Sequence, residues 1–274
     1  MTKITLKPKR QFSVPIEASV ITPENFAAKT MEQIKLLEVW DGNRPTTLGS
    51  LFDVSSEPDG GDEMTIFIEG DVSKLRRIGK GMRSGSMTIN GPAGMHLGEA
   101  MKGGTITVNG DAGSWLGARM RGGTIEVSGD AGDYVGSAYR GSREGMKGGQ
   151  IFIHGNAGNE LGCWMKKGFI RIGKNVSQLA GIHMTDGTIL VEGDSEARIG
   201  AQMKGGRIVV LGKVANVLPS FSIEEIRNVV RAGEERLPGP FYVFAGDLTE
   251  GGEGRLYALK EKNPHLQFCE AYIE

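Results

Sequence analysis

Met101-Lys102-Gly103-Gly104-Thr105-Ile106-Thr107-Val108-Asn109-Gly110-Asp111-Ala112-Gly113 returns nineteen residues later as Met120-Arg121-Gly122-Gly123-Thr124-Ile125-Glu126-Val127-Ser128-Gly129-Asp130-Ala131-Gly132. The same line starts at Met82, Met101, Met120, Met146, Met165, Met184 and Met203, in steps of 19, 19, 26, 19, 19 and 19 residues. A fixed period near twenty means stacked coils, each burying its apolar side against its neighbours.

Reading down the columns shows what each coil does. A Gly stands three places after every Met, and another sixteen places after it in six of seven coils, where the backbone must turn. Between them lies a short alternating strand such as Ile125-Glu126-Val127, then a small residue (Ala93, Ala112, Ala131), then an aliphatic one (Leu97, Leu116, Val135). These five inward columns are spaced 2, 4, 4, 4 and 5 residues apart, which fits no helical face. They suit a coil of three short strands. A weaker coil at Thr65–Val72 brings the number to about eight. The expected fold is all-β: a single-stranded right-handed β-helix over residues 61–219, roughly 38 Å long at a strand spacing of about 4.8 Å.

Small α/β caps are expected at both ends, over residues 1–60 and 220–274. Thr22-Pro23 and the capping box Thr30-Met31-Glu32-Gln33 start two helices in the first. In the second, Ser222 and Glu225 spell another capping box and predict a helix over 223–232, followed by strands at Phe241–Phe244 and Leu256–Leu259.

The 274 residues carry a formal net charge of −1, which gives no general attraction to nucleic acid. Neither an N-terminal apolar signal nor a membrane-length apolar run is present, so a cytoplasmic protein is expected. The two cysteines form no Cys-x-x-Cys motif. His96, His154 and His183 occupy different columns, so no metal site is expected in this chain, and no catalytic or cofactor-binding residue is assigned. Cys163 has no His placed to activate it. Asp111, Asp130 and Asp194 form an acidic column with Asn156 and Asn175. Paired carboxylates of this kind would suit a polysaccharide hydrolase or lyase, but Asp and Asn are also what a turn selects for its own backbone.

The run beginning at Met101, repeated at Met120 and Met146, resembles the glycine-patterned β-helix at the C-terminus of the glutamate synthase large subunit. With the segment Leu37-Glu38-Val39-Trp40-Asp41-Gly42-Asn43-Arg44 before the coils, nearly the whole chain resembles the C subunit of formylmethanofuran dehydrogenase and that of the related formyltransferase/hydrolase complex. That resemblance implies a non-catalytic scaffold in an assembly that reduces CO2 and attaches it to methanofuran, the first step of methanogenesis from CO2. It implies a catalytic subunit with a tungsten- or molybdenum-pterin and iron–sulfur clusters, an amidohydrolase-like subunit with a binuclear metal site, and ferredoxin-like subunits. A structural β-helix supporting amidotransfer is the glutamate-synthase alternative.

Three surfaces are candidates for partner contact. The first is a basic column directly after the Met: Arg83, Lys102, Arg121, Lys147, Lys166 and Lys204. The second is an outward strand position that turns apolar at Phe152 and Leu190, with Phe169 on the coil between. The third is the seven-residue excess around Tyr139–Gly145, which offers Tyr139, Arg140 and Arg143 beside the outward Trp115 and Tyr134.

Overall fold

The computed structural model describes residues 2–58, 60 and 63–273. The expected division between residues 60 and 61 falls where 59, 61 and 62 lie outside the described residues. The N-terminal elements are β1 (Thr2–Pro8), β2 (Ile16–Glu17), α1 (Pro23–Ala27), α2 (Met31–Lys35), β3 (Glu38–Asp41), β4 (Arg44–Thr47), α3 (Leu48–Leu51) and β5 (Phe52–Pro58). The repeats supply β6 (Thr65–Glu69), β7 (Leu75–Arg76), β8 (Ser86–Asn90), β9 (Lys102–Val108), β10 (Arg121–Val127), β11 (Lys147–Ile153), β12 (Lys167–Ile172), β13 (Thr188–Val191) and β14 (Arg207–Val210). The chain ends in β15 (Ser222–Ala232), β16 (Glu235–Gly246), β17 (Gly254–Leu259) and short 3-10 turns.

Successive repeats stack in parallel and in register. Ile106 lies beside Ile125, Ile125 beside Ile151 and Ile151 beside Ile170, so the alternating strand residues form columns. All seven repeat methionines are fully buried, as are Ile106, Ile125, Ile151, Ile170, Ile189 and Ile208. Each such side chain contributes about 1.5–3 kcal/mol by leaving water. The small-residue column stacks through single parallel bridges, from Val72–Ala93 to Ser195–Val214.

Three short strands per coil were expected, and only one forms. The second side is a single bridge and the third is a turn segment. Here left-handed residues alternate with right-handed ones: Trp115, Gly117 and Arg119 have φ of 66°, 59° and 58°. The N–H groups of the left-handed residues then point alternately up and down the stack, while Ala118 N–H donates to Trp115 O within its own coil. The Gly117 N–H donates to Leu97 O at 2.8 Å one coil back, and Trp115 N–H donates to Asp133 O at 2.8 Å one coil on. The side chains of Trp115 and Arg119 leave outward, but a Cβ on Gly117 would sit 2.6 Å from Ile151 Cδ1. The middle turn position therefore has to be glycine.

Both ends of the sheet are closed by the flanks. β1 adds to β6 in parallel, with Ile4 beside Ile66, and β2 adds to β7. The capping Thr22 accepts from Asn25 N, and Thr30 with Gln33 forms the reciprocal box read in the sequence. At the other end β17 adds to β14, placing Leu256 beside Ile208.

The helix expected over 223–232 is a strand. β15 pairs antiparallel with β16, Ile223 facing Phe244 and Ile226 facing Tyr242. A bulge between Ile223 and Glu225 inserts one residue, so apolar side chains three apart return to one face of a strand. That spacing imitates helical periodicity. The strands expected at Phe241–Phe244 and Leu256–Leu259 are present in β16 and β17.

Asn263, fully buried, replaces the missing next coil. Its Oδ1 accepts from Val214 N at 2.8 Å, and its Nδ2 donates to Gly212 O at 3.0 Å and Leu259 O at 2.8 Å. Asn263→Ala leaves these groups without partners in the interior and should cost about 1–3 kcal/mol per stranded group, read as a lowered urea midpoint. An unchanged midpoint would mean that Asn263 does not seal this end.

Candidate partner-docking face

The outward, left-handed turn column lifts His96, Trp115 and Tyr134 off one coil after another. Trp115 and Tyr134 stack with ring centroids 4.3 Å apart, and His96 stacks on Trp115 at 6.0 Å. A parallel ladder pairs Trp164 with His183 at 4.3 Å. Such pairs add about 0.5–1.5 kcal/mol beyond area burial.

The insertion leaves the stack after Ala138, whose N–H donates to Cys163 O, and rejoins at Met146, whose N–H donates to Gly136 O at 2.8 Å. It folds back over the ladders. Tyr139 lies 4.9 Å from the Trp115 ring and its hydroxyl is 3.0 Å from His96 Nδ1. Arg140 donates to the Tyr134 hydroxyl at 3.2 Å, and the Arg143 guanidinium lies 5.4 Å from the Trp164 ring centroid. Glu144 takes Lys147 and, at 3.3 Å, Lys166, and the two ammonium groups hold its carboxyl below the usual range. Beneath this face the buried Glu99 carboxylate accepts from Arg77, which also reaches Glu17 at 2.6 Å.

Trp115, Tyr134, Tyr139, Arg140 and Arg143 are thus brought together on one face. His96, Trp164 and His183 belong to it as well. Their column positions were the available signal.

Phe152, Phe169 and Leu190 fare differently. Leu190 is fully buried under the chain's own β15 and β16, packed with Val209, Val230, Phe241 and Val243. It is therefore no partner contact: two apolar hairpin faces cover it. Phe169 packs partly against the same cluster, and Phe152 meets it edge-on at 6.0 Å while staying half-exposed.

Of the basic column, Lys147 and Lys166 are taken by Glu144 and Lys204 by Glu250 at 3.6 Å. The side-chain cationic groups of Arg83, Lys102 and Arg121 have no carboxylate within 4.0 Å among the described residues, although the Arg83 backbone N–H donates to Glu24. The acidic column holds the stack. Asp111 accepts from Asp130 N at 2.8 Å, Asp130 from Asn156 N at 2.7 Å and Asp194 from Lys213 N at 2.7 Å.

Burial pushes the Cys163 thiol up to about 12, far from a working thiolate. Among the described residues no three His, Cys, Asp or Glu side chains are grouped to hold a metal ion, so the donor set does not fit one. No helix among them is long and apolar enough to cross a membrane.

Fold and face together define a repeat protein that presents a surface. No family model matches the chain. It is 49% identical over 273 residues to the C subunit of a tungsten-containing formylmethanofuran dehydrogenase 2 from Methanococcus maripaludis, covering 97% of this chain and 100% of that one. The corresponding protein of Methanothermobacter thermautotrophicus is 48% identical over 269 residues, with 97% and 100% covered. Among solved structures, the formyltransferase/hydrolase complex from Methylorubrum extorquens, in complex with methylofuran, contains a chain with TM-score 0.83 and 30% identity, covering 93% of this chain and 99% of that one. The chain belongs to the family of formylmethanofuran dehydrogenase C subunits, components of an oxidoreductase complex.

Burial, then the charge of Arg77, push His96 below the ordinary 6.5. The unfolded chain therefore takes up this proton at higher pH than the folded one. The stability contribution is complete above about pH 6.5 and is lost as pH falls below it through the lowered folded value. Protonated Nδ1 can only donate, so any hydrogen bond it accepts from the Tyr139 hydroxyl is lost. Hydrogen-exchange protection factors of residues 139–145 should fall as pH drops below about 6.5, and Tyr139→Phe should lower them above that pH, where the imidazole is neutral. Protection that ignores both changes would show that His96 does not anchor the loop.

Proposed function

We propose that the chain is a non-catalytic scaffold subunit of a cytoplasmic formylmethanofuran dehydrogenase, built as a right-handed single-stranded β-helix between caps at residues 1–60 and 220–274. The complex reduces CO2 and attaches it to methanofuran as a formyl group. In this reading the pterin enzyme, with its tungsten or molybdenum, the iron–sulfur clusters and the binuclear metal site belong to neighbouring subunits. The relatives named as tungsten- and molybdenum-containing dehydrogenases support the metal–pterin part.

The observation that carries the docking assignment is the insertion. It is tied by its Tyr and Arg side chains to two aromatic ladders, leaving Arg140 and Arg143 exposed above half-buried rings. Rigid aromatics rimmed by arginine are what interface hot spots are made of. Commitment of the Asp column to backbone groups argues against the polysaccharide-cleaving alternative.

Removing residues 139–145 restores the nineteen-residue period, so the isolated protein should still fold. Its affinity for the catalytic subunits should fall about tenfold or more, the worth of one hot-spot side chain. Unchanged affinity by titration calorimetry would move the interface elsewhere. A Lys102→Gln/Arg121→Gln variant tests whether the basic column faces an acidic partner surface or the γ-glutamyl tail of methanofuran. Assembly or methanofuran-dependent turnover should weaken at low salt, and equality of both would leave that column solvated.

A further inference from the structure

The C-terminal hairpin carries a feature that the docking face does not use. Four arginines line one depression where it crosses the coils: Arg207 on β14, Arg227 and Arg231 on β15, and Arg236 on β16. All four are exposed, and the depression is floored by Val230 and Tyr257, which are 3% and 4% exposed.

Arg231 and Arg236 face each other directly across the antiparallel ladder, where like charges repel. Of the acids nearby in sequence, Glu225 is engaged with Arg227, Glu224 with Arg255 and Glu235 with Arg171, while Glu234 in the hairpin turn is exposed and pairs with no cation within 4.0 Å among the described residues. Asp186 and Glu253 border the next depression beyond Arg207. Among the described residues, Arg207, Arg231 and Arg236 have no carboxylate within 4.0 Å. An anion from outside the chain would relieve this concentration of like charge.

We infer that this depression docks an acidic peptide segment of a partner protein. Its carboxylates meet the free guanidinium groups, and its aliphatic stems lie on Val229 and Val230. Guanidinium forks take carboxylates bidentately, which a lysine cluster would not do. The groups are spread over three strands, so a chain with several carboxylates matches them better than one compact oxyanion. This surface lies on the hairpin, and the inference stands independently of the assembly role assigned above.

The test uses the isolated full-length chain and a fluorescein-labelled six-residue peptide of alternating Asp and Glu. The wild type should bind it at low salt, with affinity falling as salt rises. Arg231→Gln/Arg236→Gln changes only exposed side chains, so the melting curve should be retained while affinity drops at least tenfold. Lys35→Gln/Arg44→Gln, exposed in the N-terminal cap and outside every surface assigned above, should bind like the wild type. Absence of peptide binding at low salt, or equal affinity in wild type and the Arg231→Gln/Arg236→Gln variant, overturns the inference. If inorganic phosphate displaces the peptide at equal or lower concentration, a phosphate site replaces the peptide site and the inference likewise fails.

Discussion

Every coil must hydrogen-bond to the coils on both sides, and that one requirement fixes the rest of the molecule. On the strand side the backbone meets it by ordinary parallel pairing. On the turn side it has to alternate left- and right-handed residues, so that the N–H groups of successive left-handed residues point to opposite neighbours. The inward left-handed position then excludes any side chain, and the outward ones tolerate a Trp, His or Arg. The repeat is therefore a set of solutions to a backbone problem, written once per coil.

The same constraint turns surface side chains into ladders. Residues one period apart sit one strand spacing apart, close enough for an Asp oxygen to reach the next backbone N–H and for aromatic rings to stack. Stacked lysines and arginines repel instead. In the later coils the chain offsets this with Glu144 and Glu250, both supplied from outside the repeat. The central Lys102 and Arg121 receive no such offset among the described residues.

Much of this was legible because period and burial coincide: Met, the Ile and Val pair, the small residue and the aliphatic residue all point inward as the columns require. The caps around Thr22 and Thr30 were legible for a local reason, since their hydrogen bonds close within three residues. β15 was not. Its bulge gives Ile223 and Ile226 a helix-like spacing, and only pairing with β16, the next strand of the hairpin, decides between helix and strand. The same hairpin hid Leu190, which looks exposed by its place in the strand until the hairpin lies on it. On the turn face, Trp115 and Tyr134 could be paired by their shared column. Trp164 and His183 are likewise one period apart, whereas the return of Tyr139 to His96 depends on a loop path that the period does not encode.

Division of labour among the sides of the stack follows from what each can leave uncovered. The strand side in the later coils is apolar and is consumed by the hairpin, which in turn carries the arginine cluster to the surface. The bridge side is occupied by turn-holding Asp and Asn. The turn side projects side chains that the backbone does not need for its own pairing, from outward left-handed positions that carry Trp, Tyr, His and Arg. An insertion can leave there without breaking a strand, as the resumption of pairing at Met146 shows. Variation on that side costs the stack little, so it is where a rigid rod can acquire a specific surface without giving up its period.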